Sequence, residues 1–185
     1  MFAKDAEDSL AMTVDHLKKG RNYQWGNLIL ADNDSLLAIE IAGNEHSIEW
    51  SERRVLRTGH HIMLDTEETL IAEVTGYDNS VKRVERGYEL LRSITTFEQV
   101  FGLLKDHNGN PGQSSPCKHP DANNDSSTVM SYVIEIDHSQ GSGKPKIIFH
   151  YAKGLPCQTV YNAIPIVFPA DEETIKRANQ IYHGI

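Results

Sequence analysis

Residues 24–63 constrain the fold more than any other stretch of this chain. They contain four short runs rich in apolar and β-branched residues, at 24–32, 36–43, 46–50 and 54–63, separated by turn-forming residues. Runs of this length with such punctuation predict strands. Asp32-Asn33-Asp34-Ser35 tolerates tight backbone angles and Gly43-Asn44 supplies positive φ at little steric cost, so the simplest product is an antiparallel meander of four strands. Residues 28–31 and 36–38 are apolar at successive rather than alternate positions, which predicts a sheet covered on both faces.

The flanking segments supply the covering layers. Residues 8–19 carry Leu10, Val14 and Leu17 at helical spacing, with Asp5, Glu7 and Asp8 near the start and Lys18, Lys19 and Gly20 at the end. Residues 65–79 fit neither helix nor strand clearly. Ser80 is placed to cap a helix over 81–93, with Val84, Tyr88 and Leu91 on one face. Thr96 and Gln99 form a capping box that opens a second helix through Val100, Phe101 and Leu104. Residues 106–127 show no periodicity, and a loop of 22 residues exceeds the roughly 12–15 beyond which such segments in compact domains are usually functional or disordered. Three further strands are predicted at 128–136, 146–151 and 159–167, the first two joined through Gln140-Gly141-Ser142-Gly143 and the last marked as an edge by Pro165. Glu172 and Glu173 open a terminal helix with Ile175, Ala178 and Ile181 on one face, ending near Gly184. This order predicts a single α+β domain over 1–185, with antiparallel sheets between helical layers.

Composition excludes several classes of function. At 185 residues, 39% hydrophobic and 24% charged, the chain suits one globular domain, and no run approaches the roughly 20 apolar residues of a membrane helix. The balance of 18 basic and 26 acidic residues gives a net charge of −8, with no basic cluster interleaved with aromatics, so neither nucleic acid nor a membrane is expected as partner. The start lacks the basic and apolar regions of a secretory signal. Cys117 and Cys157 lie 40 positions apart without the paired spacing of a zinc site, so a reducing cytoplasm is expected. A single disulfide is the alternative.

Few residues stand out as chemistry. His60 and His61 are neighbours on an expected strand and would point to opposite faces, so at most one addresses a given pocket. Cys117 and His119 sit in the long loop beside Asp121. A thiol near a histidine suits a thiolate nucleophile, or the pair could ligate a metal with a third partner such as His107. Cys157, after Gly154-Leu155-Pro156, reads as a buried structural thiol. Asp32, Asp34 and Asp65 lie in turns, and no carboxylate spacing marks an acid/base pair. Nucleotide-binding glycine loops, GxSxG and HExxH are absent from the sequence.

The run GNLILAD, followed by further strands and RTGHHIML, resembles the cysteine-nucleophile amidohydrolase and acyltransferase family that includes isopenicillin-N acyltransferase and is similar to the choloylglycine hydrolases. The resemblance continues through the helix bearing Arg86, Tyr88, Leu90 and Leu91, then LLKDH, SSPCKHPD, STVMSYVIEI and GLPCQTVY, in the family's order, over about residues 9–161. It implies an N-terminal-nucleophile (Ntn) fold, an αββα sandwich of antiparallel sheets, and acyl transfer at a linear amide through a covalent thioester. It implies pocket positions at Thr58, Gly59, His60, Cys117, His119 and Thr128, with no cofactor and no metal.

Two departures shape the expectation. The family's nucleophilic cysteine lies upstream of the matched segment, and neither cysteine here matches it, so no catalytic residue is identified. The family's Thr-Asn-His strand end, whose asparagine serves the oxyanion hole, is here Thr58-Gly59-His60. The expected function is therefore the C-terminal half of an amide C–N hydrolase or acyltransferase that needs a separately encoded partner carrying the nucleophile, acting on a small amide or thioester. The alternatives are a non-catalytic, self-associating remnant with at most small-ligand binding, and a metal-dependent hydrolase using His60, Cys117 and His119.

Overall fold

The computed structural model describes residues 6–19, 23–32, 34–65, 74–137, 145–166, 172, 173, 175, 176 and 180. Strand β2, Leu36–Gly43, is the axis of the first sheet. It is flanked antiparallel by β1, Tyr23–Ala31, and β3, Glu45–Ser51. The β1–β2 turn is closed by Asp32, whose Oδ1 accepts from the N–H of Asp34 (2.9 Å) and Ser35 (2.8 Å). Gly43, at φ 61°, takes the first of the two loop positions between Ala42 and Glu45, where a type II′ hairpin turn needs a glycine. Leu37, Ala38, Ile39, Glu40 and Ile41 are all buried, so β2 is covered on both faces as its continuous apolar run predicts. The edge strand β1 is not: Leu28 and Ile29 both remain exposed.

One face of this sheet forms the core. Leu37, Ile39 and Ile41 pack with Leu30, Ile48 and Leu10, the last from helix α1, Ala6–Lys18. The other face holds the main departure from expectation. Residues 54–63 form no strand, although their apolar and β-branched composition suggests one. Side chains of the sheet take the place of a backbone ladder. Asn27 Nδ2 donates to the carbonyls of Thr58 (2.7 Å) and His60 (3.3 Å), and the Glu40 carboxylate accepts from the N–H of Ile62 (2.9 Å), Met63 (2.8 Å) and Leu64 (2.9 Å). The segment thus lies across the sheet, held by polar side chains from beneath.

Helix α2, Val74–Ser93, covers that segment. Here too the structure corrects the sequence-based expectation: Ser80 lies inside the helix and does not cap it. Gly87 lets the helix approach closely, since a Cβ there would stand 2.8 Å from Leu56 Cδ1. Arg54 closes the far end, donating to the carbonyls of Leu91 (2.6 Å), Arg92 (3.1 Å) and Ile94 (2.7 Å), groups that a helix C-terminus leaves without intrahelical partners. Helix α3, Phe97–Lys105, begins as its capping residues predict, with Gln99 Oε1 accepting from the N–H of Thr95 (2.6 Å) and Thr96 (3.1 Å).

The second sheet is also antiparallel, in the order β4 (Met130–Asp137), β5 (Lys146–Lys153), β6 (Asn162–Ile166), with Pro165 on its edge strand as expected. Helix α3 packs on one face, where Phe101 meets the rings of His150 (centroids 5.5 Å) and Tyr161 (4.6 Å). Strand alternation places Tyr132, Ile134, Ile136, Phe149 and Tyr151 on the opposite face. The structure is α+β, with two three-stranded antiparallel sheets and three long helices among the described residues. The expected turn at 140–143 lies outside them, as does most of the terminal helix, of which residues 172, 173, 175, 176 and 180 are helical. No described helix is long and apolar enough to cross a membrane.

Candidate functional site

Two polar clusters meet the chemistry sought from the sequence. The first is built on the segment that Glu40 and Asn27 fasten to the sheet. Thr58 Oγ1 lies 2.9 Å from Ser80 Oγ and donates to the Ser80 carbonyl (3.1 Å), while His60 Nδ1 lies 2.9 Å from the same Ser80 Oγ. The Tyr77 ring stacks edge-on to His60 at 5.3 Å. Beneath them Arg57 Nε pairs with Glu40 Oε1 at 2.8 Å, and its Nη2 reaches Glu49. Gly59 leaves the space above Ser80 open: a Cβ there would sit 3.4 Å from Ser80 Oγ and 3.9 Å from Arg83 Nη2.

The electrostatics of this cluster are those of a fixed structural unit. Burial alone would raise the pKa of Glu40. The N–H groups of Leu64, Ile62 and Met63, together with the Arg57 charge, more than reverse that and hold it below the ordinary carboxylate value. Burial pulls His60 below the usual histidine value, and the cations Arg83 and Arg57 add to the shift against the opposing pull of Glu40. His60 is therefore a neutral, buried, hydrogen-bonded imidazole near neutral pH. His61 is buried too and faces elsewhere, with Nε2 3.3 Å from the Gly26 carbonyl.

The second cluster lies in the long loop, which is ordered by its own side chains. Arg86 makes a two-pronged contact with Asp106, Nε to Oδ1 at 2.9 Å and Nη2 to Oδ2 at 2.8 Å, fixing the start of the loop on α2. Buried Gln113 donates to the carbonyls of His119 (2.8 Å), Asn124 (3.1 Å) and Ser126 (2.8 Å). Buried Ser115 bonds the carbonyls of His107 (3.0 Å) and Asn110 (3.1 Å). Thr128 latches the loop's end, its N–H donating to the Lys118 carbonyl and its Oγ1 accepting from the Lys118 N–H, each at 2.9 Å. Inside this frame His107, Cys117, His119 and Cys157 converge, with one ligand atom of each within 4.8 Å of the others. Burial, and Cys157 beside it, push the Cys117 thiol up to about 11, so it is no ready thiolate in this setting.

The structure therefore groups Thr58, Gly59 and His60 in one cluster and Cys117 and His119 in another, while Thr128 serves the loop's backbone. His60 is not among the atoms converging on Cys117 and His119, which removes the expected metal-hydrolase triad of those three residues. Both cysteines are free thiols. Cys157, which the sequence reads as a buried structural thiol, is only half-buried and faces His119 Nε2 at 3.4 Å. Sequence reasoning also missed Ser80, Arg83 and Glu40. Arg83 links the two clusters, standing near Gly59 and donating from Nη1 to the Gln113 carbonyl. Comparison with protein-family models, curated proteins and solved structures gives no match to this chain.

Proposed function

We propose that these 185 residues form the C-terminal part of an Ntn-type amide C–N hydrolase or acyltransferase, with the attacking cysteine supplied by polypeptide outside them. The observation that carries this reading is the second sheet's outer face. Tyr132, Ile134 and Ile136 are 59%, 52% and 46% exposed on a strand whose neighbours on that face are Tyr151, Phe149 and Ile147. Such a surface has the make-up of an interior layer, and soluble monomers rarely expose contiguous apolar patches of this kind. A layered αββα scaffold stacks its two sheets face to face between helices, so a sheet face opposite α3 that the described residues leave exposed is what part of one would present.

The Thr58-Gly59-His60 cluster fits the same reading. Thr58 Oγ1, Ser80 Oγ and His60 Nδ1 are engaged with one another and the two thiols of the chain belong to the loop cluster, so this reading takes the attacking group from elsewhere. A reducing cytoplasm suits the free thiols. The outer face also favours a second reading, a non-catalytic chain that associates with itself.

The test assays the purified chain against small acyl-amide and acyl-thioester substrates, alone and mixed with a polypeptide carrying an N-terminal cysteine from the same locus. No turnover alone and turnover in the mixture is the expected result. Turnover by the lone chain that disappears in Cys117→Ala would overturn the proposal. A homodimer dispersed by Ile134→Glu, with no turnover in any mixture, would establish the self-associating reading instead.

A further inference from the structure

The loop cluster carries an inference that does not depend on the acyl-transfer reading. His119 Nε2 stands 3.1 Å from His107 Nε2, 3.5 Å from Cys117 Sγ and 3.4 Å from Cys157 Sγ. An imidazole nitrogen offers either one hydrogen or one lone pair in the ring plane, so hydrogen bonding accounts for only one of these three contacts. An ion at the centre of the four atoms accounts for all of them. With Zn–S about 2.3 Å and Zn–N about 2.0–2.1 Å in a tetrahedron, ligand atoms stand about 3.3 Å apart for N–N, about 3.5 Å for N–S and about 3.8 Å for S–S. The observed edges match the first two spacings, and the whole set lies within 4.8 Å.

We propose that His107, Cys117, His119 and Cys157 bind one zinc ion as a structural clamp. Two thiolates and two imidazoles are the donor set of a closed tetrahedral zinc site, and four protein ligands leave no position for a catalytic water. Binding releases two thiol protons and gives a site of zero net charge, compatible with Cys117 at 0% exposure. The frame is already in place. The Cys117 N–H donates to the Asp106 carbonyl (3.0 Å) and the His119 N–H to Gly112 (3.2 Å), holding the CKH turn. Cys157 arrives from the β5–β6 connection, where Gly154, at φ 90°, donates to the Val129 carbonyl at 2.7 Å. The clamp would tie the 106–128 loop to the second sheet across 40 positions of sequence, restricting the unfolded chain as a cross-link does.

The test uses the full chain, without a histidine tag, expressed in zinc-supplemented medium and desalted. Elemental analysis should give one zinc per chain, released when the thiols are titrated with an organomercurial. Refilling with Co(II) should produce thiolate-to-cobalt charge transfer in the near ultraviolet and the intense visible bands of a tetrahedral site, both abolished by zinc. In Cys157→Ser the charge-transfer intensity per cobalt should fall by about half and zinc affinity by at least about tenfold, whereas His46→Ala, an exposed histidine, should change neither. If Cys157→Ser does not fold, the cobalt spectrum of the unaltered chain decides alone. A chain purified without stoichiometric zinc that gives no thiolate band with Co(II) would overturn the proposal, as would Cys117 and Cys157 isolated as a disulfide.

Discussion

Glu40→Gln is the substitution that most directly tests how the first cluster is held. The carboxylate is fully buried, accepts from three consecutive backbone N–H groups and pairs with an Arg57 side chain that is itself only 3% exposed. Glutamine keeps the shape but removes the charge and turns one acceptor oxygen into a donor. Arg57 then loses its fully buried partner, and at least one N–H among Ile62, Met63 and Leu64 faces an NH₂. Breaking a buried ion pair from one side costs about 3–5 kcal/mol, and each orphaned N–H about 1–3 kcal/mol. The terms overlap because the remaining amide oxygen still accepts, and Glu49 stays on Arg57 to soften the loss. The expected cost is about 3 kcal/mol or slightly more, a large share of a domain's usual 5–15 kcal/mol.

The assay is urea unfolding of both proteins across a pH series, with amide hydrogen exchange at residues 62–64. The folded-state pKa of Glu40 is depressed, so its contribution is complete above the ordinary carboxylate value of about 4.3 and is lost as pH falls through the lower folded value. The gap between wild type and Glu40→Gln should therefore be widest near neutrality and close in acid, with faster exchange at Ile62, Met63 and Leu64 in the variant. A loss below about 1 kcal/mol, or a gap independent of pH, would refute the account of how residues 54–64 are fastened.

The remaining predictions are smaller. Arg54→Ala should cost about 1 kcal/mol by releasing the Leu91 and Arg92 carbonyls in the last turn of α2 and the Ile94 carbonyl just beyond it, seen as a lower urea midpoint with helix content otherwise retained. Phe101→Ala should cost about 2 kcal/mol, since its half-buried ring joins Phe97, His150 and Tyr161 between α3 and the second sheet, and calorimetry would show it. Because burial holds His60 below the histidine value, the unfolded chain takes up its proton first, so stability should decline as pH drops below about 6.5. His60→Asn should flatten that limb of the stability-against-pH curve.

The sequence exposed the parts of the fold that local chemistry decides. The continuous apolar run of β2, the Asp32 and Gly43 turns and the Gln99 cap each act within a few residues, and each appears where the pattern puts it. Residues 54–63 misled for a definite reason. Val55, Leu56, Ile62 and Met63 have the composition of a strand, but the groups that satisfy the backbone at Thr58, His60, Ile62, Met63 and Leu64 come from Asn27 and Glu40, 22–33 positions away. Ser80 misled similarly, since its hydroxyl is suited to a cap but is used by Thr58 and His60. In the loop, CKH announced two donors and left His107 as a possible third. Cys157 was hidden because only the packing of the β5–β6 connection against the loop brings it there.

Gly59 and Arg83 lie where the first cluster meets the cysteine-bearing loop. A side chain at position 59 would stand directly over Ser80 Oγ and close to the Arg83 guanidinium. Ser80 Oγ meets Thr58 and His60, and Arg83 runs on to the carbonyl of Gln113, the residue that organises the cysteine-bearing loop. Burial lowers the pKa of Arg83 but cannot discharge a guanidinium, so a fixed cation stands beside a histidine that is held neutral. The Nδ1 of this neutral imidazole is held by Ser80 and Thr58, a contact that fixes the orientation of the ring. The same arrangement makes a rigid support, in which Glu40 fixes the segment from below, Ser80 from above and Arg83 to the neighbouring loop. Such a support can present backbone and cationic charge to a reacting group delivered from outside, which is the division of labour that the proposed function assigns to it.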